Sequence, residues 1–305
     1  MIKFWRMAAA LVMASVGALL VASHPAGATS PGTSPGYWLA GADGGVFSFH
    51  APFLGSGSTP AGPCTYTQAL GPSVESSGCA GIAATPAGDG YWLLNRYRYP
   101  TAFGRAAQLG QANCSGYAIA GPPWTGITSS ATGDGFLLTS PDGADVPCGD
   151  AVQISDGLEP NPLAAPAVGI VSTSDGKGYW IVAADGGVFA IGDAGFEGSL
   201  GGTHLNAPVV GIAPTPDNRG YWLVASDGGV FAFGDAVFFG SMGGTSLNAP
   251  VVGVAAAPDG AGYWLAAADG GVFSFGSAPY QGSMGGKAMT APVVGIAAYS
   301  GAISG

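Results

Sequence analysis

Basic side chains are scarce in this sequence. Its 305 residues include 8 Lys and Arg against 18 Asp and Glu, which gives a net charge of −10 at pH 7. Proteins that bind phosphate backbones do so through clustered Lys and Arg, and this acidic chain has no such cluster. The composition therefore excludes a nucleic-acid partner.

Histidine and helical patterning are equally sparse. Beyond the N-terminal segment the only histidines are His50 and His204, and neither a GxSxG nor an HExxH string occurs. A Ser-His-Asp triad or a histidine metal site therefore has no support. No segment repeats apolar residues at i, i+3, i+4 and i+7 over the length of a helix. We expect an all-β protein with no catalytic residue, no metal and no cofactor.

The N-terminus has the layout of a secretory signal peptide. Lys3 and Arg6 precede an uncharged apolar run, residues 7–22, and a small-x-small site ends at Ala28. This order of segments predicts cleavage after Ala28 and export. An uncleaved membrane anchor is the alternative, although a run of 16 is short for the ~20 residues that a bilayer span needs. We expect a signal peptide over 1–28 and a linker over 29–35.

Glycine and a repeating Gly-Tyr-Trp string dominate the rest of the chain. The 55 glycines suit short strands joined by tight turns, because glycine adopts the positive φ that such turns require. Units open at Gly36, Gly90, Gly135 (as GFLL), Gly178, Gly220 and Gly262, at spacings of 54, 45, 43, 42 and 42. A fixed period of this length is typical of repeat architectures.

Each unit contains four segments with strand character. In the fifth unit these are VVGIAPTP, GYWLVAS, VFAFGD and AVFFGS, separated by Asp-, Asn- and Gly-rich turns. Four strands per unit of 40 to 45 residues predict a β-propeller blade. The first unit lacks a VVGIA segment, and that segment recurs at Ala291–Ala298. We therefore expect one domain over 36–305, a six-bladed propeller of four-stranded blades whose ring is closed by the C-terminal strand pairing into the first blade.

Large aromatic residues recur in nearly every unit, so we assign them to packing between blades rather than to a sugar-stacking surface. They are Trp38, Trp92, Trp180, Trp222 and Trp264, with Phe47, Phe103, Phe189, Phe231 and Phe273.

The unit GYWLVASDGGVFAFGDA, followed by FxGS and LNAPVVGIAxTPDG, resembles repeats of secreted actinobacterial proteins. The likeness covers nearly all of the chain beyond the N-terminal segment and is specific in the last three units; in the second unit Tyr97–Thr101 replace DGGVF. A looser similarity connects it to NHL and YWTD propeller repeats. The resemblance implies a propeller with a binding or scaffolding role and implies no substrate.

Four cysteines in an exported chain predict two disulfides. Cys64 lies in an insertion, residues 58–78, and Cys79 begins the first strand of the next unit, so we pair these two. Cys114 and Cys148 remain as the second pair. The repeat alignment places Cys114 after a fourth strand and Cys148 near the end of a third, at opposite rims, which does not suit a bridge.

Aspartates recur at turns and suggest two kinds of site. One set is Asp43, Asp142, Asp185, Asp227 and Asp269, and the other is Asp150, Asp193 and Asp235. Carboxylates can bind Ca²⁺, but one Asp-Gly per blade is also the usual chemistry of a tight hairpin, which we favour. Segments such as TSDGKGYW resemble the sialidase Asp box imperfectly, because Lys177 and Tyr179 depart from it.

One basic and aromatic stretch departs from the consensus and is the candidate ligand site. We predict binding by Arg96, Tyr97, Arg98, Tyr99, Arg105 and Trp124, since Arg and Tyr offer bidentate hydrogen bonds and stacking to a carboxylate or a sugar. Plain sequence drift is the alternative. We expect a monomeric, secreted, non-catalytic module that binds a cell-wall or surface glycan or a partner protein, with no membrane contact beyond the signal peptide. The alternatives are a glycosidase or esterase using the central channel, and a piece of a larger protein.

Overall fold

The structure is a computed structural model, and it describes residues 34–58, 64, 78–115, 123–152, 154 and 163–301. The predicted signal peptide, residues 1–28, and most of the predicted linker lie outside these residues. Within the described part of the chain, no helix combines the length and the apolar character needed to cross a bilayer. The only helical element described is one 3-10 turn, Gln111–Asn113.

Eighteen strands form six antiparallel sheets of three strands each. Sheets 1 to 6 take their middle strands from successive repeats, which confirms the all-β expectation and the six units. In the order first, middle and edge strand, they are sheet 1 with β18 (Val293–Tyr299), β1 (Gly36–Gly41) and β2 (Val46–Phe49); sheet 2 with β3 (Cys79–Ala84), β4 (Gly90–Asn95) and β5 (Thr101–Gly104); sheet 3 with β6 (Gly126–Ser129), β7 (Phe136–Thr139) and β8 (Asp145–Cys148); sheet 4 with β9 (Ala167–Ser172), β10 (Gly178–Ala183) and β11 (Val188–Gly192); sheet 5 with β12 (Val209–Pro214), β13 (Gly220–Ala225) and β14 (Val230–Gly234); and sheet 6 with β15 (Val251–Ala256), β16 (Gly262–Ala267) and β17 (Val272–Gly276).

Sheet 1 takes its first strand from the far end of the chain. β18 pairs with β1 in antiparallel register, with Gly36 opposite Tyr299 and Leu39 opposite Ile296. The VVGIA segment that the first unit lacks is thus supplied by residues almost 260 positions later. The first strands also contact one another in the order β3, β6, β9, β12, β15, β18 and β3 again.

The prediction of four strands per blade is wrong. The fourth segment, AVFFGS in sheet 5, is extended but joins no ladder. Side chains hold it instead: the Trp222 indole N–H donates to the Val237 carbonyl at 2.8 Å, and the hydroxyl of Tyr263 in sheet 6 contacts the Gly240 carbonyl at 2.5 Å. Because these carbonyls are satisfied by tryptophan and tyrosine, the segment becomes a connector between neighbouring sheets rather than an edge strand.

The core lies between the sheets. Every repeat tryptophan is fully buried, which confirms that these residues pack rather than stack on a sugar. Each contacts an aromatic ring of another sheet with centroids 5.3 to 5.9 Å apart, in the tilted or edge-on geometry that aromatic pairs prefer. The pairs are Trp38–Tyr91, Trp92–Phe136, Trp180–Tyr221, Trp222–Tyr263 and Trp264–Tyr37.

Candidate functional site

A cavity of about 140 Å³ is lined mainly by the first strands of all six sheets. Its lining consists of Val, Ile, Leu, Ala and Gly residues and Thr125. Each sheet places one glycine where the strands approach most closely: a Cβ at Gly126 would lie 3.1 Å from the Gly169 Cα, and one at Gly295 would lie 3.4 Å from the Gly81 Cα. Glycosidase chemistry needs two carboxyl groups in one cleft, and none of the residues lining this cavity carries one.

The predicted ligand-binding stretch forms a surface at one end of sheet 2. Arg96, Tyr97 and Arg98 occupy the turn between β4 and β5, and all three are exposed. The turn is anchored from below, because the Tyr97 amide donates to the side-chain oxygen of buried Asn95 at 2.9 Å. The basic side chains are therefore presented to solvent by a backbone that is fixed at its base.

Trp124 and Tyr99 complete this surface, which we call the Arg96 patch (Arg96, Tyr97, Arg98, Tyr99 and Trp124). The Trp124 amide donates to the Arg96 carbonyl at 2.7 Å, so the approach to sheet 3 is tied to the turn of sheet 2. Tyr99 and Trp124 are partly buried against the core that sheets 2 and 3 share. Burial raises the pKa of the Tyr99 hydroxyl, which stays a neutral hydrogen-bonding group at physiological pH.

Arg105 lies at the opposite end of sheet 2 and does not join the patch. It follows Gly104, which pairs with Gly90, whereas the Arg96 turn is at the other end of the same hairpin. Its guanidinium is 3.6 Å from the Asp89 carboxylate. Sequence proximity was misleading here, because the antiparallel strand β5 carries the chain across the sheet between Pro100 and Arg105.

Two disulfides lie close to the patch. Cys64 is bonded to Cys79, with Cα atoms 5.0 Å apart, and Cys79 pairs in register with Asn95 at the patch end of the sheet. Cys114 is bonded to Cys148, with Cα atoms 4.0 Å apart. The expectation that these two lie at opposite rims is wrong, because the connector from sheet 2 passes along the edge of β8 and forms an isolated bridge at that pair. Of the insertion 58–78, the structure describes Ser58, Cys64 and Gly78.

The recurring aspartates serve turns. In Asp43, Asp185, Asp227 and Asp269 a carboxylate oxygen accepts the amide N–H two residues ahead, at 2.9 Å in each case. Among the described residues no three His, Cys, Asp or Glu side chains come together as metal ligands would. His50 and His204 are both exposed.

Perturbed carboxylates are also explained by local turns. The Asp175 carboxylate accepts hydrogen bonds from the Lys177 ammonium, the Lys177 amide and the Thr173 hydroxyl, which lowers its pKa to about 2. In the next sheet the Thr215 hydroxyl is the main cause of the lowered pKa of Asp217. Both groups stay ionised at neutral pH and are exposed on turns between a first and a middle strand.

A set of outward-facing aromatics was missed by the sequence analysis. Phe53, Phe196, Phe238 and Tyr280 occupy the same position in four connectors and are 56 to 63% exposed. The signal was present, since each stands four residues beyond the Gly-x-Ala or related end of an edge strand, but the segment was assigned to a fourth strand. These side chains belong to the surface rather than to the core between the sheets.

Comparisons with models of known protein families and with curated proteins gave no match.

Proposed function

We propose that this protein is a secreted, non-catalytic binding or scaffold module with the architecture of a six-bladed propeller closed by β18. The contacts between successive first strands, which run from β3 through β18 and return to β3, support a ring. The cavity that all six sheets line supports the same arrangement. Two disulfides support export, because such bonds persist in oxidising compartments. Descent from secreted actinobacterial repeat proteins, attachment to the cell wall and a monomeric state belong to this proposal.

The Arg96 patch is the proposed site, and its ligand is a cell-wall or surface glycan or a partner protein that bears carboxylates. The observation that carries this assignment is the exposure of two arginines and a tyrosine on a turn where other sheets have Asp-Gly-Gly. Guanidinium groups bind carboxylates with paired hydrogen bonds, and aromatic faces stack on sugar rings. The apolar lining of the central cavity favours a binding module over a hydrolase that works there.

The test is binding of the mature protein to a glycan array and to isolated cell walls. Arg96→Ala with Arg98→Ala should lower affinity for the best ligand more than about tenfold, because two charge-assisted contacts are lost. The matched control is Arg105→Ala with Arg219→Ala, which removes the same charge from opposite sheet ends, where each arginine faces an aspartate. Equal losses in both pairs would reduce the effect to net charge and refute the site.

A further inference from the structure

Every sheet ends in a strand whose outer side joins no further strand, and sheet 2 shows which backbone groups face outward there. Ala102, which stands opposite Trp92, donates its amide N–H outward to the Gln108 side-chain oxygen at 3.0 Å. The Gln108 side-chain nitrogen donates in turn to the Pro100 carbonyl at 3.3 Å. The carboxamide of Gln108 thus takes the place of one peptide group of a neighbouring strand.

Sheet 3 covers its edge with the chain itself. The Ser115 amide donates to the Pro147 carbonyl at 3.1 Å, and the Gly149 amide donates to the Asn113 carbonyl at 2.8 Å. Pro147 stands opposite Leu137, the position that Ala102 has in sheet 2. An extended peptide segment is therefore what occupies this edge in the one sheet where backbone covers it.

The edges of the other four sheets are open. The residues equivalent to Ala102 and Pro147 are Ser48, Ala190, Ala232 and Ser274, each opposite the tryptophan of its sheet or, in sheet 1, opposite Trp38. Within the described ranges no backbone or side-chain group outside these sheets hydrogen-bonds to their outward amides. Such an edge is a template for β-pairing.

The exposed aromatics stand beside these open edges. In sheet 2 the Trp92 indole binds the Ala107 carbonyl, and Gln108 follows immediately. The same indole contact fixes the carbonyl of Val237 in sheet 5, so Phe238 leaves the connector where Gln108 does. Phe53, Phe196 and Tyr280 follow the carbonyls bound by Trp38, Trp180 and Trp264 in the same way. Four sheets thus combine an unpaired edge with an apolar side chain that is more than half exposed.

We propose that these open edges bind extended peptide segments of a partner protein by β-strand addition. The edges β11, β14 and β17 lie in three consecutive, nearly identical sheets and would hold three such segments. Backbone groups of the peptide pair with the outward groups of the edge, and the aromatic covers an alternate side chain, as peptides added to sheet edges do. Asp193 and Asp235 follow two of the edges and the chain is acidic, so the segment is basic as well as apolar.

This surface is independent of the Arg96 patch, because the patch lies on sheets 2 and 3, whose edges are covered. The experiment therefore leaves the patch intact and uses a defined probe: a synthetic heptapeptide of alternating valine and threonine with a lysine at each end. Its control is the same peptide with a central proline, which cannot pair along an edge. Binding is measured by fluorescence anisotropy, and self-association of the protein by analytical ultracentrifugation.

Two sets of variants copy solutions that the protein already uses. The first, Ala190→Pro, Ala232→Pro and Ser274→Pro, introduces the residue that β8 has at Pro147 and removes the outward donor. The second, Phe196→Gln, Phe238→Gln and Tyr280→Gln, introduces the residue by which sheet 2 covers its own edge. We expect each triple variant to lower peptide affinity more than about tenfold, and Arg96→Ala with Arg98→Ala to leave it unchanged.

Several results would overturn the proposal. Equal binding of the proline-interrupted peptide, or full binding by both triple variants, would show that the edges do not pair. Dimers that the proline variant dissolves would identify a second copy of this chain as the occupant. Loss of glycan binding in the glutamine variant, with none in the proline variant and no peptide binding, would assign the aromatics to sugar stacking. A failure of glycan binding by the Arg96 patch would leave the peptide result untouched.

Discussion

Substituting Gly240 by alanine tests whether each connector rests on the neighbouring sheet. Gly240 has φ of +131°, and a Cβ placed there would lie 2.7 Å from the Cδ1 atom of Phe275 in sheet 6. Its carbonyl also contacts the Tyr263 hydroxyl. The connector of sheet 5 thus lies directly against the ring and the hydroxyl of sheet 6, with no room for a methyl group.

Gly244 provides the matched control. It lies in the same connector with φ of +80°, and a Cβ there would meet nothing within 4 Å. Gly244→Ala should cost about 1 to 2 kcal/mol, the usual penalty of a left-handed non-glycine residue. Gly240→Ala adds a more restricted backbone region and an overlap with a packed ring, each worth about 1 to 3 kcal/mol, so we expect about 3 to 5 kcal/mol in total.

The assay is guanidinium unfolding followed by tryptophan fluorescence, with free energies compared at a common slope. A double-mutant cycle with Phe275→Leu isolates the contact, because removing the ring edge should relieve part of the cost of Gly240→Ala and none of the cost of Gly244→Ala. If the two glycine substitutions cost the same within about 0.5 kcal/mol, the connector does not rest on the ring of sheet 6 and the reasoning fails.

Two further predictions concern a buried hydroxyl and the tyrosines. The Ser274 hydroxyl is buried with no partner in the described residues, and the equivalent position is alanine in sheets 4 and 5; Ser274→Ala should raise the unfolding free energy by about 1 kcal/mol, and a loss of stability in the same unfolding assay would contradict this. Burial raises the pKa of the Tyr37, Tyr221 and Tyr263 hydroxyls and raises that of Tyr91 to about 12. Unfolded tyrosine ionises near pH 10, so this contribution to stability should be complete below pH 10 and lost between about pH 10 and 12. Tyrosinate absorbance at rising pH should therefore appear together with unfolding, and Tyr91→Phe should weaken that dependence; constant stability up to pH 12 would refute it.

The repeat predicted the middle strands closely because Gly-Tyr-Trp combines a strand start with two core side chains. Strands begin at Gly36, Gly90, Gly178, Gly220 and Gly262, and the third unit begins one residue late, at Phe136. The fourth strand could not be excluded from sequence, since AVFFGS has the composition of a strand. What prevents it from being one is the capture of its carbonyls by the indole of its own sheet and the hydroxyl of the next.

The candidate site was predicted in part. The Arg96 turn could be located because it replaces a consensus turn, but the position of Arg105 depends on the direction of β5. The repeat contains the missing information: Arg105 follows Gly104 as Asp193 follows Gly192 and Asp235 follows Gly234, at the end of an edge strand. Alignment of the units on that glycine, rather than distance along the chain, would have placed it at the end opposite the patch.

Sheets 2 and 3 depart from the repeat in linked ways, which argues against unselected drift. Phe136 replaces the tyrosine whose hydroxyl binds the preceding connector in the other five sheets. At that seam the Cys114–Cys148 disulfide and two backbone hydrogen bonds hold the connector instead. The same segment covers the edge of β8, and the same pair of sheets presents the Arg96 patch. Loss of one hydroxyl is thus offset by a covalent tie at the same seam, and the half of the protein that gained a patch is the half that closed its edges.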